Sequence, residues 1–212
     1  MTHYMTDRRS HDASVTNPLR GSSPGYSLVE LMAFMAVMVT LAAFIMPFTR
    51  SSLNALSLSS DARNLLSAAS LAKMRAAASF SQARVVVNTA NGTFHVERFQ
   101  KNPAAWITEG NVRSLSPTVS FGFSSVTAAP PNTQPVIAQA PACLDAAGAT
   151  MAGTACIVFN SRGVPVDATN APTAGDAYYV ADGSVVYGVT VSTGGMVQLW
   201  RTNVASVSWV LN

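Results

Sequence analysis

The chain has 212 residues, a formal charge of +3 and a charged fraction of only 11%. That length holds one domain plus a tail, and the low charge with abundant Ala, Ser, Thr, Val and Gly sets it apart from a typical cytosolic enzyme. The charge is also divided: residues 50–101 carry seven basic and two acidic side chains, residues 102–212 three and five. This is a mild, scattered field and not a nucleic-acid stripe.

Residues 1–24 are polar, with Ser, Arg, His and Pro, and lack the apolar content to build a core. The stretch Gly25-Tyr26-Ser27-Leu28-Val29-Glu30 follows, and then a run without charge from Leu31 to Thr49. Leu28 to Phe48 reads as one transmembrane helix. Glu30 lies at its mouth, where a carboxylate needs a partner: a charge costs roughly 2.5–3.5 kcal/mol or more at the bilayer centre and less near the interface. Arg8, Arg9 and Arg20 precede the run and place the N-terminus in the cytoplasm. A secretory signal peptide fits poorly, because the run is long and no small-x-small site follows it in Met46-Pro47-Phe48-Thr49-Arg50. A plain signal anchor leaves Glu30 unexplained. Pro47 predicts a kink or local melting of the helix, or else a helix end just beyond the bilayer.

Gly25 followed by Tyr-Ser-Leu-Val-Glu-Leu-Met resembles the prepilin peptidase site of type IV pilins and type II secretion pseudopilins. The resemblance covers about residues 20–50, with Pro24 standing where the family more often has a polar or basic residue. It implies cleavage between Gly25 and Tyr26, N-methylation of Tyr26, and a role for Glu30 in setting subunit register by pairing with the new Tyr26 amine of a neighbour. The implied partners are a prepilin peptidase, other pilin or pseudopilin subunits and inner-membrane lipid.

From Leu58 to Phe80 the pattern is helical, with Leu58, Ala62, Leu65, Leu66, Ala69, Ala72, Ala76 and Phe80 on one stripe. Leu53, Leu56, Leu71 and Met74 fall on the other side, either partly covered by loops or in contact with neighbouring subunits. Val85–Val87 and Thr93–Phe99 flank Asn91-Gly92 and predict a β-hairpin. From Arg98 to Ala155 the prolines at 130, 131, 135 and 141 leave room for at most two short strands, near Val112–Leu115 and Val119–Phe123, then a long loop. Cys143 and Cys156 lie beyond the membrane segment, in a compartment that favours disulfides. A bond between them would stabilise by about 3 kcal/mol in the chain-entropy model; the alternative is two free thiols. Their spacing fits no metal-ligand pair. Ile157–Phe159, Ala177–Val180, Val185–Val191, Met196–Trp200 and Val204–Val210 read as strands of an antiparallel meander that packs on the alanine stripe.

Two stretches, the helix from Ala62-Arg63 through Arg75 into Val85–Val87, and Ile157-Val158-Phe159-Asn160-Ser161-Arg162-Gly163, look like the GspH/FimT family of minor pseudopilins and minor pilins. The resemblance implies an α+β fold: a long N-terminal helix, transmembrane in its first half, packed on a C-terminal antiparallel sheet. The domain division expected is a leader (1–25), a transmembrane helix (26–48), its soluble half (49–82) and a periplasmic β-rich domain (83–212). The implied function is a minor subunit of a type II secretion pseudopilus or type IV pilus, serving protein secretion or pilus biogenesis. Some FimT-like members bind DNA for uptake through a Gly-Arg-x-Arg motif. Here Gly195-Met196-Val197-Gln198-Leu199-Trp200-Arg201 lacks both arginines, so DNA is only a secondary alternative.

No cofactor, metal site or catalytic residue is expected. His95 and Glu97, two apart on a predicted strand, share one face of the sheet, but a lone His–Glu pair is ordinarily structural without a nucleophile or metal. Ser161-Arg162-Gly163 reads as a turn, not a nucleophile elbow. Trp106, Trp200 and Trp209 read as core or edge residues.

Overall fold

The computed structural model describes residues 25–212, with the side chains of residues 45–52 outside the described set. The leader expected before Gly25 lies outside the described residues, and the kink expected at Pro47 falls where no side chains are described. The chain divides into two units, one ending at Met46 and the other running from Pro47 to Asn212, and each is taken by itself. Among the described residues a single helix, α1 (Leu28–Ala78), is followed by ten strands.

In the second unit, Leu58, Ala62, Leu65, Ala69, Ala72 and Ala76 are all buried in one core. The run of alanines lets strand side chains lie close against the helix. Leu66 is partly buried against the same core. Phe80, expected on this stripe, is not there: it is 78% exposed. The helix ends before it, with Ser81 N–H donating to Ala76 O and Phe80 N–H to Ala77 O, and with Phe80 at φ 47°. This is a Schellman cap whose left-handed position, usually glycine, is filled by phenylalanine.

Two antiparallel five-stranded sheets replace the expected single meander. The first contains β1 (Ala83–Asn88), β2 (Thr93–Lys101), β3 (Ala104–Ser114), β5 (Thr154–Phe159) and β6 (Pro165–Val166), in the order β3-β2-β1-β5-β6. The second contains β4 (Ser120–Phe121), β7 (Asp176–Ala181), β8 (Val185–Val191), β9 (Val197–Asn203) and β10 (Val210–Leu211), in the order β10-β9-β8-β7-β4. The β1–β2 hairpin forms as expected, and Asn88 Oδ1 accepts the N–H groups of Ala90 and Asn91 in its turn.

Three expectations need correction. The first strand after β2 runs from Ala104 and is 11 residues long, where a short strand near Val112–Leu115 was expected. Its pairing with β2 supplies order that its own weak alternation does not advertise. The strand expected over Val204–Val210 shrinks to Val210–Leu211, because Trp209 turns to donate its indole N–H to Ala128 O, 2.8 Å away. The strand expected near Val119–Phe123 is only Ser120–Phe121.

The sheets share the helix core through Val85, Val87, Phe94 and Ile157 on one side and Tyr178, Val180, Val189 and Leu199 on the other. Tyr178 links them directly. Its buried hydroxyl donates to Val85 O (2.7 Å) and accepts from Ile157 N–H (2.6 Å), a facing pair of β1 and β5. The proline-rich stretch covers the outer faces. Val126 and Ile137 pack with Tyr179 and Val186 of the second sheet, and Cys143 packs with Val86 and Cys156 of the first. Cys143 and Cys156 form a disulfide, with Cα atoms 4.9 Å apart.

Two turns meet the helix at Lys73. Its Nζ donates to Gly195 O at 2.8 Å. A Cβ on Gly163 would lie 3.0 Å from the Lys73 side chain, and one on Gly195 would collide with Gly163 O. Gly163, at the end of the Phe159-x-x-x-Gly163 stretch, takes a φ of 72°, in the left-handed region that favours glycine, and Gly195 is required by the close approach of its backbone to Gly163 O.

Candidate functional site

The N-terminal unit carries the residues singled out by sequence. Ser27 Oγ accepts the backbone N–H of Glu30 at 3.1 Å, which makes Ser27 the N-cap of α1. Ser27-Leu28-Val29-Glu30 is also the Ser-x-x-Glu pattern of a capping box. Only half of the box is made: among the described residues the Glu30 carboxylate takes part in no hydrogen bond or ion pair. Among the described residues, a Cβ on Gly25 would meet nothing within 4 Å. Packing against the described residues makes no demand for a glycine at this position.

From Leu28 to Phe44 the helix is apolar on every face, and every residue is exposed. Tyr26 before it is 84% exposed, and Phe34, Val39 and Phe44 point outward with the rest. A helix that is hydrophobic all round requires an apolar environment supplied from outside itself. Its one hydroxyl is already satisfied within the helix: Thr40 Oγ1 donates to Val37 O (2.8 Å) and lies 3.1 Å from Ala36 O. Among the described residues no helix is long and apolar enough to cross a membrane. The uncharged sequence runs from Leu31 to Thr49.

In the second unit the outer face of the first sheet holds a buried charge network. Arg84 and Glu97 face each other across β1 and β2 and form an ion pair at 2.7 Å. Arg84 also stacks on Trp106, with the guanidinium carbon 3.8 Å from the ring centroid, and donates to Leu144 O. His95 Nε2 lies 3.1 Å from Glu97 Oε1. Burial pushes the Glu97 carboxyl up, but its bonds to His95 and Arg84 outweigh burial and hold it below the usual carboxylate range. Burial lowers the Arg84 guanidinium, against the attraction of Glu97.

A cavity of about 500 Å³ opens beside this network. Phe99, Trp106, Val158 and Val166 form its apolar floor, and Asp145, Asp167 and Asp176 stand around it. Burial pushes the Asp176 carboxyl up, and a hydrogen bond from the Thr173 hydroxyl opposes the shift. Asp145 and Asp167 accept backbone N–H groups of their own loops.

The structure thus joins His95 to Glu97 as the two-residue spacing predicted, and adds Arg84, which sequence reasoning missed. The alternation of β1 marks Arg84 as facing away from Val85 and Val87, but its pairing with Glu97 depends on register. Among the described residues the His95 side chain bonds only to Glu97, and no group of three His, Cys, Asp or Glu is placed to hold a metal ion. Ser161 lies in a turn in which Asn160 Oδ1 accepts the N–H groups of Arg162 and Val164. Trp200 donates to Thr190 Oγ1. Several basic residues of 50–101 are engaged: Lys73 with Gly195, Arg84 with Glu97, and Arg75 and Arg98 with Glu109.

No protein-family model matches the chain, and no curated protein matches it. Among solved structures it is similar to the minor pseudopilin EpsH from the Type 2 Secretion System of Vibrio cholerae. The identity is 10%, the TM-score 0.36, and the match covers 74% of this chain and 96% of that chain.

Proposed function

We propose that this chain is a minor pilin or pseudopilin subunit. It would enter the inner membrane with residues 1–25 in the cytoplasm and residues 26–48 in the bilayer, leaving the β-rich domain in the periplasm. A prepilin peptidase would cut between Gly25 and Tyr26 and methylate Tyr26, and the subunit would then join a secretion pseudopilus or type IV pilus with other pilin-like subunits. The observation that carries this reading is the helix from Leu28 to Phe44. It is exposed and apolar on every face, and it holds one carboxylate, Glu30, that its own N-cap leaves unbonded. Among the described residues nothing packs closely against Gly25, which suits recognition by an external enzyme.

In this mechanism cutting the chain creates the missing partner. The Tyr26 amine of one subunit pairs with Glu30 of its neighbour as apolar helices stagger against each other. An unpaired charge in low dielectric is strongly penalised and a paired one tolerated, so the pair sets register more than it adds stability. The mature protein is expected to lack residues 1–25 and to carry one methyl group on Tyr26 by intact mass. Gly25→Ala is expected to retain the leader. Glu30→Ala is expected to be cut yet to fail to copurify with partner subunits in sheared filament fractions. Normal assembly of Glu30→Ala overturns the register mechanism, and an unprocessed wild-type chain in cells with active peptidase overturns the whole reading.

A further inference from the structure

Two loops that line the 500 Å³ cavity on the outer face of the first sheet are built alike. In residues 145–149 the Asp145 N–H donates to Ala149 O and the Gly148 N–H to Asp145 O, while Asp145 Oδ1 accepts the N–H groups of Ala147 and Ala149. In residues 167–171 the same four bonds recur, with Asp167, Thr169, Asn170 and Ala171 in the corresponding places. The turn itself makes no demand for charge. Asn160 makes all four bonds in residues 160–164, and Ser192 closes the same backbone turn by accepting the Met196 N–H. Neither Asn160 nor Ser192 lines the cavity. Aspartate therefore stands at the two cavity turns although an uncharged residue closes this turn elsewhere in the chain.

The turns use one oxygen of each carboxylate and leave the other. Among the described residues Oδ2 of Asp145, Oδ2 of Asp167 and Oδ1 of Asp176 accept no hydrogen bond, and none of the three pairs with Lys, Arg or His. Asp176, at the start of β7, is the least exposed of them, and burial pushes its carboxyl up with only the Thr173 hydroxyl to oppose the shift. Arg84 is the one cation among the described lining residues, and Glu97 already meets its charge at 2.7 Å. The cavity thus holds negative charge that the chain does not balance, beside an apolar floor of Phe99, Trp106, Val158 and Val166. A hydrated metal ion would make no use of that floor, and no three carboxylates, histidines or cysteines among the described residues are placed to hold one. A ligand that fits both features carries a positive charge on an apolar body.

The geometry points to this cavity as a binding site for a small organic cation, an ammonium or guanidinium whose aromatic or aliphatic body lies on the floor. Small-molecule sites span roughly 300–1,000 Å³, and a single Lys or Arg side chain from a partner protein would leave much of this one empty. The inference does not depend on the proposed membrane processing. The test titrates the full chain, in uncharged detergent micelles, with phenethylamine and follows backbone amide NMR shifts. Saturable shifts are expected at residues 144–148 and 166–173, with a dissociation constant of about 1 mM or below. Phenethyl alcohol, which keeps the body and loses the charge, is expected to bind at least ~10-fold more weakly, and so is methylammonium, which keeps the charge and loses the body. Asp145→Asn/Asp167→Asn retains an acceptor at both turns, so it is expected to keep its melting transition while affinity for phenethylamine falls at least ~10-fold. Asp176→Asn is expected to keep the fold and to weaken binding as well. No saturable shift in these loops at ~10 mM phenethylamine overturns the inference. So does equal affinity for phenethyl alcohol or methylammonium, a comparison that needs only the wild-type chain, and so does unchanged affinity in the folded asparagine variants. Tighter binding of N-acetyl-arginine N-methylamide than of propylguanidine, the same stem without peptide groups, also overturns it and assigns the cavity to a side chain of a partner protein.

Discussion

From Leu58 to Ala76, α1 buries one side in its own fold, with Leu58, Ala62, Leu65, Ala69, Ala72 and Ala76 all within the core. From Leu28 to Phe44 the same helix exposes everything it has, and everything but Glu30 and Thr40 is apolar. Composition alone does not explain the difference, because both halves are rich in Ala and Leu. What differs is where the polar residues stand. In the second half Asp61, Arg63, Asn64 and Ser67 break the apolar surface into a stripe. Asp61 even caps a neighbouring segment by accepting the Ser116 N–H at 2.8 Å. In the first half nothing breaks it. One half is stabilised by this chain, and the other can be stabilised only by something outside it.

Matched truncations separate the two most sharply. Leu65→Ala removes a fully buried side chain and is expected to lower the unfolding free energy of the domain by about 3–4 kcal/mol. Phe34→Ala removes a larger one and is expected to leave that free energy unchanged within about 0.5 kcal/mol. Urea unfolding of the two variants in micelles, followed by tryptophan fluorescence, measures both. A comparable loss from Phe34→Ala would erase the distinction.

The second effect in size concerns the loop that covers the sheets. Cys143 and Cys156 pin it to β5, and the double Cys→Ser variant is expected to lose about 3 kcal/mol. Exchange protection should fall first around residues 141–151, while the β1–β2 hairpin keeps its own. Loss confined to the hairpin would mean that the loop is held by its packing and not by the bond.

Glu97→Gln comes next, at about 2 kcal/mol near pH 7, because it leaves Arg84 buried without its counter-charge. The effect has a sign in pH. The folded Glu97 value lies below the unfolded one, so its contribution is complete above the ordinary glutamate range and is lost as pH falls through the folded value. Wild type and Glu97→Gln are therefore expected to converge in stability as pH falls below the ordinary glutamate range. A gap that stays constant as pH falls until the domain unfolds would show that the bonds of Glu97 do not depend on its charge.

Much of this was legible in the residues. The three- and four-residue spacing of Leu58 to Ala76 marks the stripe, and Asn91-Gly92 marks the hairpin. The Ser27-x-x-Glu30 spacing marks the N-cap as plainly. β3 was not legible. Its alternation is broken by Glu109-Gly110-Asn111, and its length comes from a register with β2 that no local signal specifies. The division into two sheets was hidden for a similar reason. It depends on Tyr178 reaching Val85 and Ile157, residues far from it in sequence, and on a proline-rich loop folding back over both outer faces.

The smallest effect tests the end of the helix. Phe80 occupies the left-handed position of the Schellman cap, where a side chain costs about 1–2 kcal/mol relative to glycine, and it is 78% exposed, so its ring returns little by burial. Phe80→Gly is then expected to raise the unfolding free energy, by about 0.5–1 kcal/mol after the added entropy of the unfolded glycine is set against the relief of strain. The urea midpoint should rise without a change in slope. On that outcome Phe80 resembles the first half of α1, an apolar group that its own fold leaves exposed. A fall in stability would reverse that assignment and place Phe80 among the groups that hold the domain together.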